Sequence, residues 1–403
     1  MRNNLLTADS KRFAVLSCIL YIVCPLLGLG GLLLIVLTDN KDKRLTYIFF
    51  VLLALYIGLI NSTKIPFSDQ IQYMEAYKLV PHRHIWNNLT GIYGYGNSTT
   101  KEMGYGLLNI VGFYLSFGCY PLFITLFTVA LYMLYFTAIY RWFHLLKIKN
   151  PTGYTISAVL VLAFFTQFFN LTIHLQRQEI ATALMIHALI IMLSTGKVPW
   201  LLVIISISLH TSVGLFLPLF MLFQFTKGLT LRRIILIIGG MSLLLPIVSI
   251  LASSFTGNIY MIERLQNMGT SEETAMSGTL VAIVSIPLTI ISIKYLYDNR
   301  KQKTLPVEAY LFLFYLFNIS FSAFNPDSTM QYRYFMMSYG FIPFILPLVS
   351  KKQGAIRNIV LIMIPIFFFL RFFITFEDIT FQYAPLDNVM TSNIFSLYNY
   401  YGL

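Results

Sequence analysis

The stretch LFITLFTVALYMLYFTAIY, residues 122–140, runs for 19 residues without a charged side chain. Wound as an α-helix at ~1.5 Å per residue it covers about 28 Å, close to the ~30 Å of hydrocarbon in a bilayer. Residues 13–37 form a second uncharged run. The whole chain follows suit: of 403 residues 57% are hydrophobic and only 11% charged, with a mean hydropathy of +0.72, where a soluble globule carries roughly 25% charged residues. The fold class is therefore an all-α polytopic membrane protein. The first apolar run lacks a small-residue cleavage pattern and further spans follow it, so no cleavable signal peptide is expected.

Apolar runs predict membrane segments at 13–37, 45–61, 121–142, 152–169, 180–195, 234–255, 277–296, 305–324, 335–350 and 358–375. Two stretches do not fit a simple crossing. Residues 105–118 are short and amphipathic. Residues 200–225 suffice for one span, yet His210, Thr211 and Ser212 interrupt the middle and basic residues flank both ends. Two short helices meeting near His210 account for this, giving about 10–13 membrane helices, short or re-entrant ones included. The cysteines Cys18, Cys24 and Cys119 lie in or beside apolar segments without metal-ligand spacing, and read as packing residues.

Lys and Arg collect in cytoplasmic loops. If 39–44, 141–151, 196–198, 226–233, 294–304 and 351–357 are cytoplasmic, those loops and their edges hold 17 of the 28 basic residues and four acids, a balance of +13, and everything else balances at −1. The +12 net charge thus sits on one side. It sets topology and argues against a nucleic-acid partner. The N-terminus conflicts with this scheme: a single span over 13–37 would put Arg2, Lys11 and Arg12 outside. A bent hairpin around Pro25, Gly28, Gly30 and Gly31 would remove the conflict. The external face then carries 62–104, 170–179, 256–276, 325–334 and a tail, 376–403. No repeat or linker divides the chain, so 1–403 is expected to be one integral membrane domain with its largest external loop at 62–104.

Ionisable residues near a bilayer are functional candidates unless solvation or pairing explains them. In IPFSDQIQYMEAY (65–77), Asp69 precedes Tyr73 by one helical turn; it reads as a helix cap, or as a general base or an acceptor for sugar hydroxyls. In KEMGYGLLN (101–109), Glu102 precedes an amphipathic helix, and Gly104 and Gly106 would permit a tight turn. In NLTIHLQRQEIATAL (170–184), Arg177 and Gln178 stand at a helix start. Arg177 could snorkel to headgroups, but an arginine there opposes the helix dipole, and its planar fork suits phosphate. In SLHTSVG (208–214), His210 is either a satisfied buried histidine or a phosphate donor and proton carrier. In DSTMQYRYFMMSYG (327–340), Arg333 lies between Tyr332 and Tyr334, the tyrosines fitting an interfacial belt. Arg371 lies within the last span and needs a partner or water. Two arginines, two carboxylates and a histidine near one membrane–water level suit a substrate with an anionic membrane anchor and a neutral polar part outside, such as a lipid-linked sugar.

These same stretches resemble the EpsG-like group of Wzy-type polysaccharide polymerases, enzymes of O-antigen, capsule and exopolysaccharide assembly. SDQIQYMEAY, KEMGYGLLN (similar to an acid–Pro–Gly–Tyr–x–Leu–Leu–Asn pattern), QRQEIATALMIHAL, LLVIISISLHTSVGLFLPLF and QYRYF occur in the family's order between about residues 65 and 345. Met103 departs from the pattern, which often has proline there. The resemblance implies a fold related to GT-C membrane glycosyltransferases in the bacterial inner (cytoplasmic) membrane. It also implies transfer of a growing glycan from undecaprenyl diphosphate to the non-reducing end of a new lipid-linked repeat, on the periplasmic or exterior face. The roles expected are Arg177 and Arg333 on the leaving diphosphate, with Gln178 and His210 as further donors. Asp69 is the first choice for general base and Glu102 the second, and Tyr73, Tyr332 and Arg371 belong to the substrate-binding set. Catalysis is expected to invert the anomeric centre and to need no cofactor or metal, although Asp69 and Glu102 could together hold a cation. The expected partners are the two lipid-linked oligosaccharides, membrane lipids and, where one exists, a polysaccharide chain-length regulator. An O-antigen ligase or another GT-C glycosyltransferase would use the same donor with another acceptor. A lipid-linked oligosaccharide flippase would instead place ionisable groups along a mid-membrane path.

Overall fold

A computed structural model describes residues 2–38, 43–66, 69–90, 102–225, 240, 275–300, 306–324, 328–350, 356–376 and 384–398. The expected segment at 234–255 and the external loop at 256–276 lie outside them, apart from residues 240, 275 and 276. Among the described residues the regular structure is helical and no strand occurs, as hydrocarbon demands of a backbone that must satisfy its own hydrogen bonds. The helices used below are α1 (Arg2–Val23), α2 (Pro25–Thr38), α3 (Lys43–Ser62), α4 (Asp69–Lys78), α5 (Ile85–Thr90), α6 (Met103–Leu115), α7 (Tyr120–Leu145), α8 (Pro151–Ala163), α9 (Thr166–His174), α10 (Gln176–Thr195), α11 (Trp200–Leu209) and α12 (Leu217–Phe225). They continue with α13 (Ala275–Asp298), α14 (Val307–Phe324), α15 (Ser328–Tyr339), α16 (Ile342–Ile345), α17 (Ile356–Ile374), α18 (Leu386–Thr391) and α19 (Ile394–Tyr398).

Four described helices are long and apolar enough to cross a membrane: α3, α7, α10 and α17, the last over 357–374. A fifth crossing is possible by length if α8 and α9 count as one span bent by 61°. Apolar helices α2, α6 and α11 are shorter than a span, in keeping with the expectation of membrane helices that include short or re-entrant ones. The stretch expected as a span over 335–350 is broken: it divides between the end of α15, α16 and a 3-10 turn over Leu346–Ser350, with Pro343 in the first turn of α16.

The run at 13–37 is two helices, not one. Gly28 lies so close to α1 that an added Cβ would stand 2.5 Å from the Tyr21 Cα, and Gly31 packs on Ser17 in the same way. The two pairs centre on Cys24 and Pro25, so α1 and α2 run antiparallel. At ~1.5 Å per residue, the 14 residues of α2 cover about 21 Å, too little to span. Lys11 and Arg12 therefore return to the end that holds Lys43 and Arg44, which removes the charge conflict of a single span. The turn lies beside the C-terminal segment, with the Cys24 Sγ 3.7 Å from the Met390 carbonyl. That segment is docked instead of free: Tyr56 Oη donates to the Val389 carbonyl at 2.9 Å, and the Ala384 amide donates to Thr63 Oγ1 at 3.1 Å.

The centre of the bundle is α3 against α7. Gly58 on α3 meets Thr125 of α7, and Asn61 faces Thr128 across the same seam at 3.5 Å. Small residues let membrane helices approach where no hydrophobic force drives them together. On the other flank of α7, Tyr132, Tyr135 and Phe136 are fully buried, and both tyrosine rings meet Phe168 of α9 edge-on. Phe164, at the bend between α8 and α9, packs on Phe369 and Phe372 of α17. Outward-facing Phe13, Leu16, Leu34, Leu201, Ile204, Ile362 and Ile374 are all more than half exposed, the surface expected to meet lipid.

In a cysteine-free background, Ser10→Cys and Thr38→Cys should react with an impermeant maleimide from the same side of the membrane. Labelling from opposite sides would disprove the hairpin.

Candidate functional site

Glu102 is at the centre of the site. It occupies the N-cap position of α6, and the helix starts at Met103 without the family's proline. Gly104 and Gly106 do not form the tight turn expected of them; both are helical and serve close approach. A Cβ on Gly104 would stand 2.7 Å from the Ser208 carbonyl carbon of α11, and one on Gly106 would collide with the Asn88 carbonyl of α5. Gly104 thus presses the start of α6 against α11, which ends at His210, and Gly106 presses it against α5.

The backbone breaks at His210, which is extended (φ −156°, ψ 120°) between α11 and a 3-10 turn over Thr211–Phe216. The break aims both the His210 ring and the Thr211 amide at Glu102. His210 Nδ1 is 2.6 Å from Glu102 Oε1, and the Thr211 N–H donates to the same oxygen at 3.2 Å. Arg177 Nη1 donates to Oε2 at 2.7 Å. Arg177 Nε also faces the Tyr73 hydroxyl at 3.4 Å, and its guanidinium lies 5.4 Å from the Tyr73 ring and 5.8 Å from that of Tyr105, within cation–π range. The charge that opposes the α10 dipole is thus balanced by a carboxylate 75 residues away in sequence and by two aromatic faces.

The electrostatics follow from burial and partners. Burial pushes the Glu102 carboxyl up, but the hydrogen bond and charge of His210, the charge of Arg177 and the Thr211 amide outweigh it and bring it to about 2. Burial also lowers the proton affinity of His210 below the ordinary imidazole range, against the raising effect of Glu102. The two directions conflict if His210 must be charged to hold Glu102 ionised. Arg177 resolves this, because its permanent charge suffices as the counter-ion. The resting site is then carboxylate, guanidinium and neutral imidazole, with the imidazole Nδ1–H donated to Glu102 and Nε2 left as an acceptor.

Other expected residues take distinct places. Arg333, half-buried on α15, lies close enough for its charge to act on both Tyr73 and His210. Asp69, at the first turn of α4, is half-buried, and its charge also acts on Tyr73, one turn on. Gln178 is 2% exposed, and its amide donates to the Arg333 main-chain carbonyl at 2.8 Å. This bond ties α10 to α15. Both Glu102 oxygens are engaged, Oε1 by His210 and Thr211 and Oε2 by Arg177. Tyr332 and Arg371 face outward. Arg371 stands in the last turn of α17 between exposed Leu370 and Ile374 and fits a snorkelling side chain; neither joins the cluster. Among the described residues no group of three or more His, Cys, Asp or Glu could hold a metal.

Two members of the site were not singled out from the sequence. Tyr105 is fully buried beneath Arg177, and its hydroxyl donates to Gln176 Oε1 at 2.8 Å. Both lie in quoted motifs, one residue from glycines or from Arg177, so their signal was position and not residue type.

A family model described as the EpsG family matches residues 43–388. No curated protein and no solved structure matches the chain.

Removing one partner of a buried ion pair leaves the other charge stranded, at a cost of about 3 kcal/mol. Glu102→Ala should lower the unfolding free energy in detergent by that order. Adding Arg177→Met to it should restore most of the loss, whereas additive losses would show that the pair is not coupled.

Proposed function

The chain belongs to the EpsG family, whose members have a Wzy-like polymerase type of function, and from this membership we propose that it joins undecaprenyl-diphosphate-linked repeats at the external face of the bacterial inner membrane. The single observation that carries the reading is the Arg177–Glu102–His210 cluster, with the Arg333 charge beside it. A guanidinium held by one carboxylate oxygen keeps N–H groups for a second anion, and a preformed set of donors supplies several kcal/mol of stabilisation where charge develops. The GT-C-like scaffold implied by the resemblance remains part of this proposal.

In the proposed step an acceptor hydroxyl attacks the anomeric carbon of the donor glycan. The new C–O bond forms as the bond to diphosphate breaks, and its electron pair leaves with the diphosphate. The hydroxyl proton passes to Asp69. In-line attack inverts the configuration at the carbon. Arg177 and Arg333 meet the diphosphate. Tyr73 lies between Arg177 and Asp69 and borders both the leaving group and the base. Glu102 acts as a positioning residue for Arg177 and His210. Gln178 acts as one for Arg333 by holding its main-chain carbonyl. His210, neutral at rest, gains a proton on Nε2 when an anion arrives, adding a third positive charge. Clustering of these groups at the helix ends supports an enzyme over a flippase, which would carry them along a path.

Compared at equal protein level, Arg177→Ala should abolish polymer on a glycan gel, with one repeat left on the lipid; long chains would end the diphosphate assignment. Asp69→Asn should reduce the rate at least about a hundredfold, the usual contribution of a general base. The pH dependence has a definite sign. His210 must take up a proton on binding and its free proton affinity is lowered, so the half-saturating donor concentration should rise as pH climbs past the ordinary imidazole range. The rise should vanish in His210→Gln; a pH-independent value in the unaltered protein would remove this role.

A further inference from the structure

A polymerase of this kind handles two lipid-linked diphosphates at once, yet the Arg177 cluster accounts for one. A cavity of about 880 Å³ lies on the other side of α4. It is lined by Asn61, Ser62, Lys64, Gln70 and Lys78, and by the start of α7 at Cys119 and Tyr120. Lys64 is 4% exposed, although it stands just past the end of a membrane span. Burial lowers its ammonium to about 7, the effect expected where a cation has lost water; a bound anion would restore its charge. Asn61 Oδ1 and Gln70 Oε1 are buried in the same wall and have no hydrogen-bond partner among the described residues. Such orphaned amide oxygens are costly unless something donates to them, and sugar hydroxyls do. The mouth carries Ile65, 42% exposed, and Phe117, 90% exposed, an apolar lip suited to a lipid tail.

The two sites share one wall. Gln70, Met74 and Lys78 line the cavity at helical spacing, while Tyr73 faces Arg177. The charge of Asp69 acts with Arg177 and Arg333 on Tyr73, and with Lys64 on His174.

Resting on the polymerase reading above, we propose that the Lys64–Lys78 cavity holds the diphosphate-linked sugar of the acceptor substrate, so that α4 stands between acceptor and donor. Lys64 and Lys78 meet the diphosphate, Asn61 and Gln70 accept from sugar hydroxyls, and the lipid leaves past Ile65 and Phe117.

The test uses the full-length protein in lipid nanodiscs with two probes. One is a lipid-diphosphate repeat whose non-reducing hydroxyl is blocked, which acts only as donor. The other is a repeat joined to the lipid diphosphate through a non-cleavable carbon linkage, which acts only as acceptor. Lys64→Met and, at the exposed rim, Lys78→Met should each raise the half-saturating acceptor concentration about tenfold, the loss of roughly one charge-assisted contact, and leave that of the donor unchanged. Equal dependence in variant and unaltered protein, or a shift in the donor value instead, would overturn the assignment. Replacing neutral lipid by phosphatidylglycerol should leave the acceptor value unchanged; competition that Lys64→Met removes would assign the cavity to ordinary phospholipid headgroups and overturn it as well. Absence of any product from the unaltered protein would reject the polymerase reading itself.

Discussion

A half-buried arginine at the start of a membrane helix is the constraint around which this end of the bundle is arranged. Arg177 opposes the dipole of α10 and cannot lose its proton. It must therefore bring a carboxylate, aromatic faces, or both. Glu102 supplies the carboxylate, which requires α6 to begin at that depth. Tyr73 and Tyr105 supply the faces, which requires α4 to lie across the top of α6. Glu102 has a second oxygen to satisfy, and the break at His210 and Thr211 satisfies it. Four separate segments thus converge because one cation was placed where a helix would reject it.

The sequence made the class legible, because hydrophobic length decides membrane helices almost alone. It also made the breaks legible: Pro25 with its neighbouring glycines marked the α1–α2 turn, and His210–Ser212 marked the interruption of the 200–225 run. What it hid were departures with no cost in composition. The bend between α8 and α9 sits in an apolar stretch, and α15–α16 divide a run that reads as continuous. Periodicity sees length and polarity; it does not see where packing against a neighbour makes a bend cheaper than a straight span.

The site was legible as a set of residues and not as a set of pairs. Glu179 would be a natural partner for Arg177 by proximity in sequence. Residues two apart on a helix do not face each other, however, and Glu179 is fully buried on another side of α10, near Tyr132, Tyr135 and Tyr339. The true partner is 75 residues upstream. Gln178 shows the same limit. Its type and place suggest a ligand donor, yet its amide is spent on the Arg333 carbonyl, and that bond fixes where the second guanidinium stands. Arg371 shows the reverse: an isolated charge in a span stands exposed in the last turn of α17, apart from the cluster.

These pairings give α4 a role larger than its ten residues suggest. A short polar helix beside the ends of long apolar ones would be unstable alone, so its position is set by what its faces touch. One face is held by Tyr73 against Arg177 and Tyr105, and by the buried Tyr77 stacked on Phe123. The next face, through Gln70, Met74 and Lys78, borders open volume. A helix clamped on one side and unfilled on the other is a rigid partition, and Asp69 stands at its first turn. On the proposed reading, Asp69 would take the proton of a hydroxyl at the end of this helix while that hydroxyl attacks a carbon held near Arg177, and the spacing of four between Asp69 and Tyr73 would set base and leaving-group contact one helical turn apart.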